Sequence, residues 1–163
     1  MKLLFKQRFF SLAGSYNIFD ENENVVFTVK GKLGFGREFY VYDKDGNMLA
    51  FMKRRVFTFL PCVDVFVGEN YIGCIKRRFS FFKPVYTIDF HSLSVVGNFF
   101  ELDYGIFDAE CKEIAHISQK LFKLTDTYVI DVIQDDMALY ALLVVIAIDA
   151  DKSSRSTTIS IGN

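Results

Sequence analysis

Apolar and polar residues alternate with a period of two through most of the chain before Asp131, the period of strands whose successive side chains face opposite sides of a sheet. Turn signals cut this pattern into short arms. Asp43-Lys-Asp-Gly-Asn47 and Gly68-Glu-Asn70 are hairpin turns, because Gly and Asn tolerate positive φ. Asp20 to Asn24 and Asp108 to Lys112 occupy matching places with weaker turn chemistry. The arms around them, such as Phe39–Asp43 with Met48–Val56 and Val63–Val67 with Tyr71–Phe79, are rich in β-branched and aromatic residues. Counting arms predicts about twelve strands, antiparallel and hairpin-connected. Both prolines, Pro61 and Pro84, fall where a strand should end.

The alternation gives way at Met137. From there to Ile148 every residue is apolar. A bilayer span needs about 20 such residues, so this shorter run predicts no transmembrane segment but a core helix, about 135–149, buried on all sides. Asp135 and Asp136 would cap it and complement its dipole. The helix decides the architecture. A sandwich has no room for it, and an eight-stranded barrel is filled by its own side chains, whereas a wider barrel holds a helix. The expected fold is a mainly β, closed antiparallel barrel of about twelve strands around one central C-terminal helix. It forms a single domain over 1–152, and 153–163 follow as a polar, flexible tail or a late strand at Thr157–Ile161.

A repeat runs through the pattern. Lys6-Gln-Arg-Phe-Phe-Ser-Leu, Lys30-Gly-Lys-Leu-Gly-Phe, Lys53-Arg-Arg-Val-Phe-Thr-Phe, Lys76-Arg-Arg-Phe-Ser-Phe-Phe and Ser118-Gln-Lys-Leu-Phe-Lys-Leu share one form. Their first residues lie 24, 23, 23 and 42 apart, and the last gap holds an extra hairpin near Val85 to Asp103. Strand alternation sorts each copy onto two faces. One face carries Lys6 and Arg8, Lys30 and Lys32, Lys53 and Arg55, Lys76 and Arg78, and Lys120. The other carries Gln7, Gly31, Arg54, Arg77 and Gln119 among apolar neighbours.

These faces supply the functional lead. Lys53, Arg55, Lys76 and Arg78, with Lys30 and Lys32, would bind phosphate groups of lipid headgroups or nucleic acid. The plainer reading is a solvated outer wall whose cations meet nearby acids. The inward Arg54 and Arg77 need partners, because an unpaired buried charge is costly. Those partners would be strand carboxylates such as Asp64, Asp89, Asp103 or Asp131, or a bound anion at the barrel rim.

Composition changes the picture in a few places. The net charge of -1 by itself predicts neither a nucleic-acid nor a membrane partner, so the distribution of charge matters more. An apolar share of 51% with 19 Phe fits a large aromatic core. Three cysteines without C-x-x-C spacing, and an N-terminus without a continuous apolar stretch, predict reduced thiols and a cytoplasmic protein, soluble or peripheral to a membrane. His91 and His116 lack metal-ligand spacing to each other or to the cysteines, and Asp43-Lys-Asp-Gly is too short for a calcium loop. Asp131, Asp135 and Asp136 would offer Ca²⁺ oxygen ligands, though capping explains the last two more simply. No nucleophile has an activating neighbourhood, so the expectation is a non-enzymatic domain without cofactor or metal.

Phe9-Phe-Ser-Leu12, Asp43-x-Asp-Gly-Asn47, Phe79-Ser-Phe-Phe-Lys-Pro84, Asp126-Thr-Tyr128 and Ala147-Ile-Asp149 together resemble the LURP-one-related family, over about Lys2 to Asp149. The resemblance implies the tubby C-terminal-like fold, a twelve-stranded barrel around a hydrophobic helix. It also implies distant kinship with phospholipid scramblases and, through tubby proteins, phosphoinositide binding by basic strand residues. The absence of Trp, and Glu110-Cys111 where a turn glycine is usual, depart from that pattern. Three functions stay open: a domain that binds anionic phospholipid headgroups, a scaffold that binds a protein partner and, behind these, a nucleic-acid-binding domain.

Overall fold

A computed structural model describes residues 1–5, 14–32, 34, 36–80, 85–98, 103–121 and 126–160; for 119–121, 126–127 and 152–160 it describes the backbone alone. The arms predicted from alternation are present as β1 (Lys2–Phe5), β2 (Gly14–Phe19), β3 (Val25–Lys32), β4 (Glu38–Asp43), β5 (Met48–Arg54) and β6 (Cys62–Val67). They continue as β7 (Asn70–Arg78), β8 (Val85–Ile88), β9 (Ser94–Asn98), β10 (Asp103–Phe107), β11 (Glu113–Leu121) and β12 (Asp126–Val132). Each strand pairs with its chain neighbours and β1 closes on β12, which makes one closed twelve-stranded antiparallel barrel. Closure removes the free edges that would otherwise invite aggregation. The first repeat copy, with Lys6, Gln7 and Arg8, lies outside the described residues.

Three of the hairpins use one turn, despite their different sequences. Asp20 Oδ1 accepts from the backbone N of Asn22 and Asn24, Asp43 Oδ1 from Asp45 and Asn47, and Asp108 Oδ1 from Glu110 and Lys112. The fourth turn residue is left-handed each time: Glu23 at φ 65°, Gly46 at 84° and Cys111 at 62°. Gly adopts this region without steric cost, whereas Glu and Cys do not. Cys111→Gly is therefore expected to stabilise the fold by about 0.5–1 kcal/mol, and Glu23→Gly similarly, read as a rise of about 2 °C in melting temperature.

The helix lies inside the barrel. A short 3-10 turn, Asp135–Met137, leads into α1 (Ala138–Ser160). Ala141 to Asp151 are all buried, and Leu142, Leu143, Val144 and Ile148 have no exposed surface. They pack against inward strand residues such as Leu3, Ile18, Val29, Val41, Met52, Ile106 and Ile130 in one core. This is the all-round burial that the unbroken apolar run requires.

Two expectations about the helix are corrected. It does not end near 149: no Gly or Pro interrupts 138–160, so the backbone ladder continues to Ser160, where a tail or late strand was expected. What stops after Ile148 is the unbroken apolar run. Nor do Asp135 and Asp136 cap it. Both lie within the 3-10 turn that precedes α1, whose own cap residue Gln134 makes no side-chain bond, and Asp135 Oδ1 accepts from the Met1 nitrogen at 2.7 Å.

An up-and-down barrel puts its connections alternately at two ends. The Asp20, Asp43, Gly68 and Asp108 turns lie at one, the turn end. The connections after β3, β5 and β7 lie at the other, the loop end, together with the basic repeat segments. The helix enters from the turn end after β12, so Asp149 and Asp151 arrive at the loop end.

Candidate functional site at the loop end of the barrel

The basic positions face outward, as alternation predicts. Lys30, Lys32, Lys53, Arg55, Lys76 and Arg78 are all exposed, while Gly31, Arg54 and Arg77 between them are partly buried. Register then brings acids among the outer cations. Lys32 stands opposite Glu38, Glu38 opposite Lys53, and Lys53 opposite Asp64. Lys53 Nζ lies 3.2 Å from Glu38, and Lys76 Nζ lies 3.2 Å from Asp89. Arg55 grips Asp64 in a fork, with Nη2 donating to Oδ1 at 2.7 Å and Nε to Oδ2 at 2.9 Å. Hydrogen bonds from Tyr40 and Lys53 hold the Glu38 carboxyl below its ordinary range. Lys30 Nζ sits 4.7 Å above the Tyr42 ring. Arg78 and Lys32 have no carboxylate within ion-pair distance among the described residues. The outer wall thus alternates in sign around β3 to β8.

The inward arginines form a second tier with a partner that sequence reasoning misplaced. Asp64 and Asp89 point outward to Arg55 and Lys76, and Asp103 meets His116 at 2.9 Å. The interior carboxylates come instead from the helix. Arg77 Nη1 lies 3.9 Å from Asp151 Oδ2, and the Tyr86 hydroxyl donates to the same oxygen at 2.7 Å. Arg37, absent from the sequence candidates, donates from Nη1 to the Ala150 carbonyl at 2.9 Å. Burial, then the neighbouring Arg54, lowers its pKa, while Asp149 opposes both. Burial, then the Asp149 charge, raises the Tyr16 and Tyr104 phenols. The signal for this tier was Asp149 and Asp151, the first charged residues after the apolar run.

Around this charged rim the loops are aromatic. Phe57 and Phe59, between β5 and β6, are 93% and 95% exposed, and Phe79 at the end of β7 is 67% exposed. Phe57 is held at φ 61°, a left-handed conformation unusual for an aromatic residue. Between this loop and the start of β8 runs an open groove of about 460 Å³, lined by Leu60, Lys76, Arg77, Arg78, Phe79, Thr87 and Asp89. One end of the barrel therefore presents exposed phenylalanines beside a cationic groove. Sequence reading assigned the phenylalanines to the repeat and the core, because alternation cannot tell a strand's last residue from a loop's first.

No helix among the described residues is long and apolar enough to cross a membrane. A sequence model of the family described as LURP-one-related matches residues 1–149. The uncharacterised protein YxjI of Bacillus subtilis strain 168 is 21% identical over 150 residues, which cover 91% of this chain and 92% of YxjI. An X-ray structure of an Arabidopsis thaliana protein superposes with a TM-score of 0.61 at 20% identity, covering 91% of both chains, and so shares the fold.

Proposed function

This chain belongs to the LURP-one-related family, and from that premise we propose that it is a non-enzymatic domain that docks on anionic membrane surfaces through the loop end of its barrel. The observation that carries this reading is the pairing of exposed Phe57, Phe59 and Phe79 with the groove lined by Lys76, Arg77 and Arg78. Exposed aromatics cost solubility unless something covers them. Beside cations they suit the boundary between headgroups and acyl chains, where rings bury their faces and Lys or Arg meets phosphate. The ion pairs on Lys53, Arg55 and Lys76 moderate the electrostatic part, so the aromatic part is the larger. Such docking would make the protein peripheral to a membrane's cytoplasmic leaflet.

Vesicle co-sedimentation at low salt tests it. The chain is expected to pellet with phosphatidylserine- or phosphoinositide-containing vesicles and to stay in solution with phosphatidylcholine alone. Phe57→Ser with Phe59→Ser is expected to weaken binding by about a hundredfold, from about 1.5 kcal/mol of lost burial per ring. Reversing Lys53, Arg55, Lys76 and Arg78 to Glu is expected to weaken it at least tenfold, at about 1 kcal/mol per cation less what their acids already offset. Equal pelleting with neutral vesicles, or binding unchanged in both variants, contradicts the proposal. A stoichiometric protein partner recovered through Phe57 and Phe59, with no lipid binding, would favour the scaffold reading instead.

A further inference from the structure

On the outer wall, two thiols and two carboxylates converge from three adjacent strands. Cys62 and Asp64 are two apart on β6 and share a face. Cys74 stands opposite Asp64 on β7, and Asp89 follows β8 with its backbone N donating to the Cys74 carbonyl at 3.0 Å. One ligand atom from each of Cys62, Asp64 and Cys74 lies within 4.8 Å of the other two. Cys74 Sγ donates to Asp89 Oδ2 at 2.8 Å, which places a fourth donor beside Cys74. Gly73 permits this approach. It sits at φ 141°, and a Cβ there would come within 3.2 Å of Asp89 Cβ.

We propose that Cys62, Asp64, Cys74 and Asp89 form a four-ligand site for a borderline-soft divalent cation, Zn²⁺ first among them. Tetrahedral Zn²⁺, with bonds of about 2.3 Å to sulfur and about 2.0 Å to oxygen, sets neighbouring ligand atoms about 3.3–3.8 Å apart. The ligand atoms of Cys62, Asp64 and Cys74 need to close by only about 1 Å to reach that geometry, with Asp89 beside Cys74 as the fourth donor. Charge also balances. Two thiolates and two carboxylates carry four negative charges, which a divalent ion, Arg55 and Lys76 offset. Arg55 and Lys76 already hold Asp64 and Asp89, and so serve as the outer shell that orients metal ligands. Cys62 and Cys74 are 4% and 1% exposed, which dries the site on the barrel side. On binding, each thiol releases its proton to solvent as its sulfur bonds the metal. Ca²⁺ and Mg²⁺ are poor fits, because they require six or more oxygen ligands.

The test uses the reduced full chain titrated with Zn²⁺ against a chromophoric chelator, and separately with Co²⁺ as a spectroscopic stand-in. The expected result is one Zn²⁺ per chain, with the intense near-ultraviolet thiolate-to-Co²⁺ absorption of a tetrahedral site. Cys62→Ser and Cys74→Ser are each expected to weaken binding by about a hundredfold, and Asp89→Asn by about tenfold, with Cys111→Ser without effect. The wild-type titration decides even if a buried-cysteine variant fails to fold. Failure of the reduced chain to take up Zn²⁺, a Co²⁺ spectrum without thiolate absorption, or dependence on Cys111 would each overturn the proposal.

Discussion

Val144→Asp is expected to leave the chain unfolded at room temperature. Val144 is fully buried within the apolar stretch of α1, with Leu142, Leu143, Val145 and Ile146 buried beside it and strand side chains in the same core. The inward cations Arg37 and Arg77 lie against Ala150 and Asp151, more than a helical turn from a carboxylate placed there. An isolated buried carboxylate costs at least several kcal/mol, and the lost Val burial adds about 2 kcal/mol. Domains of this size are stable by about 5–15 kcal/mol, so one such change consumes most of it. Circular dichroism and thermal melting check this. A cooperative melt within a few degrees of wild type would show that the helix does not fill the barrel.

The second large effect lies at the helix exit. Arg77→Met is expected to destabilise by about 2–3 kcal/mol, because it leaves Asp151, only 3% exposed at its side chain, facing the Tyr86 hydroxyl and no cation from β7. Asp151→Leu should cost a similar amount, because Arg77 is then left with a desolvated guanidinium whose Nε already lacks a hydrogen-bond partner. The double variant should recover at least half of the summed loss, since removing both charges ends the desolvation penalty. Urea denaturation of the four proteins measures the coupling. Strictly additive losses would mean that the 3.9 Å pair contributes nothing as a pair.

The fold was legible because two periods are written plainly in the chain. Period two with turn signals gives the meander, and an apolar run too long for a strand and too short for a bilayer can only be a core helix. The outward Lys30, Lys32, Lys53, Arg55, Lys76 and Arg78 followed from alternation alone. That acids would meet some of them was expected; which acids, Glu38, Asp64 and Asp89 against Lys53, Arg55 and Lys76, was not, because they come beside these cations only once the register is known. The partner of Arg77 was missed for a related reason. Strand reasoning looks sideways to adjacent strands, whereas Asp151 approaches from inside, more than 70 residues later in the chain. The Cys62, Asp64 and Cys74 cluster was within reach. A hairpin centred on Gly68-Glu-Asn70 puts Asp64 opposite Cys74, but ligand spacing sought within one segment does not span two strands. The loop phenylalanines stayed hidden because a repeat rich in Phe reads as core wherever its strands end.

Docking of the loop end on an anionic membrane is most directly tested by fluorescence, since the chain contains no Trp. Phe59→Trp places a single reporter at the loop end, and Met48→Trp places one at the turn end. With phosphatidylserine vesicles, the Phe59→Trp protein is expected to shift its emission to the blue and to be quenched by brominated acyl chains, while the Met48→Trp protein does neither. Emission unchanged at both positions, or shifted equally at both or with neutral vesicles, would contradict membrane docking through this end of the barrel.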